Sequence, residues 1–424
     1  MAVFVASVAY RRVRRDTPTP AGQNPDEYAY TSSYLYRMRN RIIILAILCL
    51  SQHLAFSAIR IPFRFKNGLI IADFNLNGKN KIPFVFDTGA STTVIDSTAA
   101  QALQMKAEGR QTSIGASGPV SLPVIYGQHI LLAKDETVNL TQCVVVNLQA
   151  LRERNGEDFF GIIGYDILKN YFTSIDYDKK DLIFDTKLPD ALNGYSKLPF
   201  TFGNTITIPQ IPIGITLSSG KKLEGSVFFD SGAALTLLVN SPFKKDNLPA
   251  DVIGKTILSK SRDLSKENLL EETAIESIQL GEFKFSSLPI SLSSDQQGVS
   301  AYKGYLGILG NKIISRFNVV LDYREKIIYL KPNQLYSTAF EFPMGGLRFK
   351  KINGKVFVAS VVEGSPAAEK GFKEEQAIYS VDGYRGSDLD KINKLLQQEG
   401  KTIVITISAN GEHRDVELKL QKLL

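Results

Sequence analysis

The stretch Phe84-Val-Phe-Asp-Thr-Gly-Ala-Ser-Thr92 runs three apolar residues straight into an aspartate. One such Asp is an ordinary turn residue at the end of a strand. A second copy changes the reading. Val85-Phe-Asp-Thr-Gly-Ala90 returns as Phe228-Phe-Asp-Ser-Gly-Ala233, each after an alternating, strand-like segment. The correspondence continues downstream: Gly161-Ile-Ile-Gly164 begins 74 residues after Asp87, and Gly307-Ile-Leu-Gly310 begins 77 after Asp230. Asp176-Tyr177 and Asp322-Tyr323 each start 12 residues beyond the last of those glycines, and each leads into a charged turn and an apolar strand. A bare Asp-Thr/Ser-Gly arises by chance, whereas three landmarks at matched spacing mark a duplication. The bland version of that duplication is a repeated β domain whose aspartates only cap turns.

At 424 residues the chain is long enough for two or three domains. Hydrophobic residues at 44% and charged residues at 22% are ordinary for a globular protein. The net charge of +7 owes much to the first 57 residues, where seven Arg face three acids, so the remainder is nearly balanced. With no basic run interleaved with aromatics, nucleic acid is not an expected partner. Between residues 59 and 333 short runs of Val, Ile, Phe and Thr are bounded by Gly, Asn and Pro, as in Leu69–Phe74 and Thr207–Thr216. The charged stretch Lys260–Glu272 reads as a solvated helical face. Tyr126 and Phe160, near the cleft, read as core residues.

Cysteine and histidine are scarce. Of Cys49 and Cys143, the first lies in an apolar run expected to be removed, so no intrachain disulfide forms and Cys143 reads as a small core residue. Only His129 and His413 follow residue 57, far apart and away from any nucleophile motif, and no cluster has metal-ligand spacing. Neither a metal nor a cofactor is expected.

Two aspartates suit such a chain. Carboxylates held face to face cannot both ionise comfortably, so one proton is shared. The ionised member then takes a proton from a water, while the protonated member hydrogen-bonds the carbonyl under attack. The hydroxyls of Thr88 and Ser231 can tie the two loops together, and Gly89 and Gly232 permit a tight turn.

The motifs FDTGAS and FDSGAA, with Ile162-Ile163-Gly164 and Ile308-Leu309-Gly310, resemble the pepsin and retropepsin superfamily of aspartic proteases over about 270 residues. The resemblance implies a mainly β fold: two retropepsin-like closed β-barrel lobes, 58–190 and 191–335, related by a pseudo-twofold axis. It implies Asp87 and Asp230 as the catalytic pair, supported by Thr88, Gly89, Ser231 and Gly232, with a peptide or protein as substrate. It also implies a flap, placed at Ile114-Gly115-Ala116-Ser117-Gly118. The equivalent offset after Asp230, Ile257–Ser261, has no glycine, so one flap is expected. Ala90 and Ala233 stand where pepsin-like members carry Ser or Thr, which predicts a less acid-shifted optimum. The competing reading is a peptide-binding protein whose lobes no longer cut; a third has each lobe pairing with its counterpart in another chain.

Residues 340–424 change character. Met344-Gly-Gly-Leu-Arg-Phe349, Val361-Val-Glu-Gly-Ser-Pro-Ala-Ala368, Ile378-Tyr-Ser-Val-Asp-Gly383 and a helix over 388–398 resemble a small α+β PDZ domain. The resemblance implies that the loop Gly346-Leu347-Arg348-Phe349 captures the terminal carboxylate of a peptide ligand. Arg348, where the usual loop has Gly, either strengthens that capture or points to solvent. Glu375-Gln376 replaces the usual Gly-Asp.

At the N-terminus, Arg37-Met-Arg-Asn-Arg41 precedes the apolar run Ile42–Leu50, and Ala55-Phe-Ser57 supplies small residues for cleavage. This pattern predicts a signal peptide, with export to the periplasm, cell surface or medium and no stable membrane span afterwards.

Overall fold

The computed structural model describes residues 58–424, apart from 116–117, 204–205, 263–266 and 410. The expected N-terminal extension and signal, residues 1–57, lie outside the described residues, as do Ala116 and Ser117 of the expected flap.

Two Asn-Gly pairs start the fold. Asn67 and Gly68, then Asn77 and Gly78, all take positive φ, at 47°, 83°, 51° and 78°. That is the conformation of the two-residue hairpin turn, which Asn and Gly reach at least cost. The turns join β1 (Ile59–Lys66), β2 (Leu69–Leu76) and β3 (Lys79–Phe86) into an antiparallel meander. The first half continues through β4 (Thr93–Asp96), α1 (Ser97–Ala102), β5 (Gly109–Gly115), β6 (Gly118–Ile125), β7 (His129–Ala133), β8 (Glu136–Asn139) and β9 (Cys143–Val146). It ends with α2 (Gln149–Asn155), β10 (Gly161–Ile163), α3 (Tyr165–Leu168), β11 (Phe172–Asp176) and β12 (Asp181–Asp185).

The second half follows the same plan. Its elements are β13 (Ser196–Pro199), β14 (Thr201–Gly203), β15 (Ile206–Leu217), β16 (Lys222–Phe229), β17 (Leu237–Val239), α4 (Ser241–Asn247) and α5 (Ala250–Ile253). Then come β18 (Thr256–Arg262), β19 (Glu267–Leu280), β20 (Phe283–Leu292), β21 (Gly307–Leu309), α6 (Asn311–Ile314), β22 (Phe317–Asp322) and β23 (Ile327–Pro332).

The repeated apolar-apolar-Gly segments occupy matching positions. β10 lies between β3, to which it is parallel, and β4, so Ile162 sits beside both Val85 and Val94. β21 lies in the same way between β16 and β17, with Ile308 beside Phe228 and Leu238. All six side chains are buried, which is why these strands are apolar throughout instead of alternating.

In the second half β15, β16, β21, β17, β20 and β19 form a ring, closed because the 14-residue β19 returns to β15. The corresponding strand of the first half is broken at Gly127, φ 71°, into β6, which pairs with β9, and β7, which pairs with β2. The halves are not separate beads. β11 pairs antiparallel with β22, so one sheet runs from β13 through β23, β22, β11 and β12 to β1, across the boundary expected near residue 190. The largest apolar cluster spans both, from Phe86 and Phe184 to Phe229 and Phe317, and each half adds a smaller cluster of its own.

The C-terminal domain carries its own core of Phe349, Val358, Ile392, Ile405 and Leu418. β24 (Leu347–Ile352), β25 (Lys355–Val361), β26 (Ala377–Val381), β27 (Thr402–Ala409) and β28 (Glu412–Lys419) form one sheet in that order. Ser365 caps α7 (Pro366–Glu369), and Asp388 caps α8 (Leu389–Leu395). Glu375 adopts φ 65°, taking the left-handed conformation that the usual glycine would supply.

Two expectations are corrected. Lys260–Glu272 is not a helical face: its two arms belong to the β18–β19 hairpin, where Lys260 pairs with Leu269 and Ser259 with Leu270. Nor is it all solvated, because Glu272 is buried; cross-strand pairing of apolar and branched residues outweighed the charge pattern. Tyr126 is 46% exposed beside the break at Gly127 and is no core residue. Phe160 is partly buried under the Arg152 guanidinium, 5.1 Å from the ring centre.

Candidate active site

Asp87 and Asp230 each follow the last residue of the strand that carries the motif. The Asp87 amide donates to the Ile163 carbonyl at 2.9 Å, and the Asp230 amide to the Leu309 carbonyl at 3.0 Å. Each Asp loop is thereby hung from the neighbouring apolar strand. The glycines ending those strands are sterically required. A Cβ on Gly164 would stand 1.9 Å from the Asp87 carbonyl oxygen, and one on Gly310 would stand 2.3 Å from that of Leu235.

The loops are also tied to each other. The Thr88 amide donates to Ser231 Oγ at 3.0 Å, and the Ser231 amide donates to Thr88 Oγ1 at 2.9 Å. Each hydroxyl passes its own proton on, Thr88 to the Phe229 carbonyl at 2.7 Å and Ser231 to the Phe86 carbonyl at 3.2 Å. Both side chains are buried and all four bonds cross between the halves.

This lattice sets the carboxyls against one another. A Cβ on Gly89 would lie 2.6 Å from Asp230 Cγ, and one on Gly232 would lie 2.3 Å from Asp87 Cγ. Each carboxyl therefore fills the space that the opposite glycine leaves. Asp87 Oδ1 accepts from the amides of Gly89 at 2.7 Å and Gly232 at 3.2 Å; Asp230 Oδ1 accepts from Gly232 at 2.8 Å and Ala233 at 3.0 Å. The two side chains share a hydrogen bond. Burial pushes both carboxyls above the ordinary value, and Asp230 goes well above it because the charge of Asp87 and the shared bond add to burial. The pair thus favours one shared proton.

Residues that the motifs did not assign a role complete the surroundings. Tyr177 donates its hydroxyl to Asn311 Oδ1 at 2.6 Å. Its counterpart Tyr323 packs on Tyr165, Phe200 and Phe202. Burial, then the charge of Asp87, pushes the Tyr323 phenol up. The Asp-Tyr repeat was the sequence signal for both, but their partners lie far away in the chain. Cys143 is fully buried, and burial followed by the charge of Asp166 pushes its thiol up to about 12, as a core residue requires. No group of metal-ligating side chains occurs among the described residues.

Ile114, Gly115 and Gly118 lie at the end of the β5–β6 hairpin, where Gly115 and Gly118 form the last pair. Ile114 is 53% exposed. A Cβ on Gly118 would lie 3.7 Å from the Gln297 side chain, so this hairpin reaches over the second half. A second hairpin, β18–β19, exists where none was expected. It needs no glycine in its arms because pairing alone holds it.

In the C-terminal domain Gly346 is at φ 89°, and a Cβ there would strike Ser365 Oγ at 2.0 Å. Leu347 and Phe349 are buried in the domain's core. Arg348 is partly exposed, and its guanidinium pairs with the buried Glu272 of β19.

Comparison with known proteins matches two parts of the chain. Residues 72–167 match the aspartyl protease family model, and residues 344–420 match that of the PDZ domain. The probable CtpA-like serine proteases of Staphylococcus aureus strains COL, N315 and MW2 are 30% identical over 81 residues, 18% of this chain. That stretch is only 16% of the length of these curated relatives. No helix of the described residues is long and apolar enough to cross a membrane. The chain thus joins an aspartyl-protease-like domain to a C-terminal PDZ domain, a pairing that points to a peptidase.

Proposed function

We propose that the two halves act as retropepsin-like lobes of one aspartic endopeptidase, with Asp87 and Asp230 as its catalytic dyad. The observation that carries this reading is the reciprocal bonding of Thr88 and Ser231, which holds two carboxyls against each other at the junction of duplicated halves. A capping role for the aspartates would not need both loops to meet.

In this reading Asp87 starts ionised and Asp230 protonated. A water between them attacks the peptide carbonyl carbon and gives a proton to Asp87, while Asp230 passes its proton to the carbonyl oxygen. The tetrahedral adduct then collapses: the C–N bond breaks, the leaving nitrogen takes the proton from Asp87, and Asp230 recovers one from the adduct. One water is consumed and the dyad regains its starting state. The β5–β6 hairpin would close over the substrate.

The matched relatives' name does not redirect this mechanism, since 81 residues is the size of one small domain. The two histidines of the described residues sit in different domains, His129 on β7 and His413 stacked on Tyr379. Export to an extracytoplasmic compartment is part of the same proposal, resting on the arginine-flanked apolar run at 42–50.

The test is to incubate residues 58–424 with a diverse peptide pool at acidic and neutral pH, beside the Asp87→Asn and Asp230→Asn variants, and to identify products by mass spectrometry. Cleavage lost in both variants is expected. A folded parent that cuts nothing at either pH, or variants that cut as well as the parent, would refute the dyad.

A further inference from the structure

The edge strand of the PDZ domain is already covered. β24 is the outer strand of its sheet and α8 flanks it. A peptide ligand adds as a strand along such an edge, beside the helix. Here the first half of the chain takes that place. α2 packs along β24, and its C-cap Gly156 abuts the start of α8, where a Cβ would stand 2.8 Å from Leu389 Cγ. The β1–β2 turn closes the arrangement: Lys66 pairs with Asp388 at 3.3 Å, and Asn67 accepts from Asn393 Nδ2 at 3.2 Å while donating to the Asn155 carbonyl at 2.7 Å.

The same contacts lead to the cleft by two routes. Next to Asn67, the Gly68 carbonyl accepts from Asn311 Nδ2 at 2.9 Å, and a Cβ on Gly68 would lie 2.9 Å from the Ala234 Cβ, in the Asp230 loop. The domain also grips the second hairpin, through Arg348 to Glu272 and through Glu374 to Lys260 at 2.7 Å.

We propose that the PDZ domain is docked in a self-occupied state, in which α2 shields the β24 edge and the domain pins the β18–β19 hairpin. A peptide with a free terminal carboxylate competes with α2 for that edge and thereby frees the hairpin beside the cleft. This regulation rests on the reading of the cleft as a proteolytic site. The part that moves is the PDZ domain. α2 is anchored to the first half by Arg152, paired at 2.9 Å with the fully buried Asp96, and by Leu151, partly buried against an apolar cluster, whereas the domain has a separate core and can move as a body. Its contacts through Lys66 with Asp388 and through Glu374 with Lys260 join partly exposed side chains, so these parts of the docking are readily broken and remade.

The test uses residues 58–424 carrying Asp230→Asn, so that hydrolysis plays no part in it. Hydrogen exchange is measured on this parent and on Lys66→Glu/Lys260→Glu, which reverses two docking contacts outside the carboxylate-binding loop, and both are offered pools of short random peptides ending in a free carboxylate or in an amide. In the released variant, exchange should rise together in β24 and in β18–β19, and capture of the carboxylate pool should rise about tenfold, with the amide pool unchanged. The charge swap Lys260→Glu/Glu374→Lys should behave as the parent. Should the double reversal unfold the chain, Lys260→Glu alone, restored by Glu374→Lys, gives the same comparison. Continued protection of β24 in a released hairpin, equal capture by parent and variant, or no carboxylate preference would overturn the proposal. Failure of the protease reading would show separately, as an Asp87/Asp230 chain that cuts nothing.

Discussion

Thr88 and Ser231 each give an amide proton to the other's hydroxyl, at 3.0 and 2.9 Å, so neither aspartate loop is built without the opposite half. Thr88→Val would leave the Ser231 amide buried without an acceptor and remove the bond to Phe229. The expected loss is about 1–3 kcal/mol of stability for the stranded amide, with a larger proportional loss of peptide cleavage. Ser231→Thr, which keeps the hydroxyl, should retain both. Thermal melting beside cleavage rates checks this; a Val variant as active as the parent would remove the loops' mutual support from the account.

Asp230→Asn should abolish cleavage and yet stabilise the chain at neutral pH. The folded-state carboxyl is held well above its ordinary value of 3.8, by burial first and then by Asp87. The folded chain therefore keeps a proton that the unfolded chain has released, and stability falls as pH rises through the folded-state pKa. Asn removes that penalty. Its advantage should be present at neutral pH and vanish below the unfolded carboxylate pKa, where Asp is protonated in both states. Denaturant midpoints measured across pH read this directly, and an Asn variant less stable at neutral pH would contradict it.

Ala233→Ser adds a hydroxyl beside a loop whose Ala233 amide already serves Asp230 Oδ1 at 3.0 Å. A further donor favours the ionised form, so the alkaline limb of kcat/KM should move down by about one pH unit. The parent should accordingly keep activity closer to neutral than the variant. Matching alkaline limbs would show that the added hydroxyl does not reach the dyad.

Gly164→Ala should lose cleavage because its Cβ would meet the Asp87 carbonyl at 1.9 Å, displacing the loop that carries the carboxyl. Overpacking of this kind costs about 1–3 kcal/mol. Gly109→Ala, with nothing within 4 Å of the added carbon, serves as the control. Equal activity in the two variants would mean that the strand does not set the position of Asp87.

The sequence by itself determined the local features. The repeated motif, the apolar-apolar-Gly segments and the Asn-Gly turns depend on backbone conformation and burial, which neighbouring residues specify. It therefore announced two related halves, the two aspartates and the change of character near residue 340. Residues 260–272 misled, because alternating charge was read without the partner strand that makes a hairpin of them. Tertiary structure alone decided what depends on distant pairs: the sheet running through both halves, the contact of Tyr177 with Asn311, and the buried Glu272 that draws in Arg348. Arg348 could be read as a ligand-binding or solvated cation because its partner lies 76 residues away. Only the closed fold brings that carboxylate within reach, and a buried charge must find its counterion there.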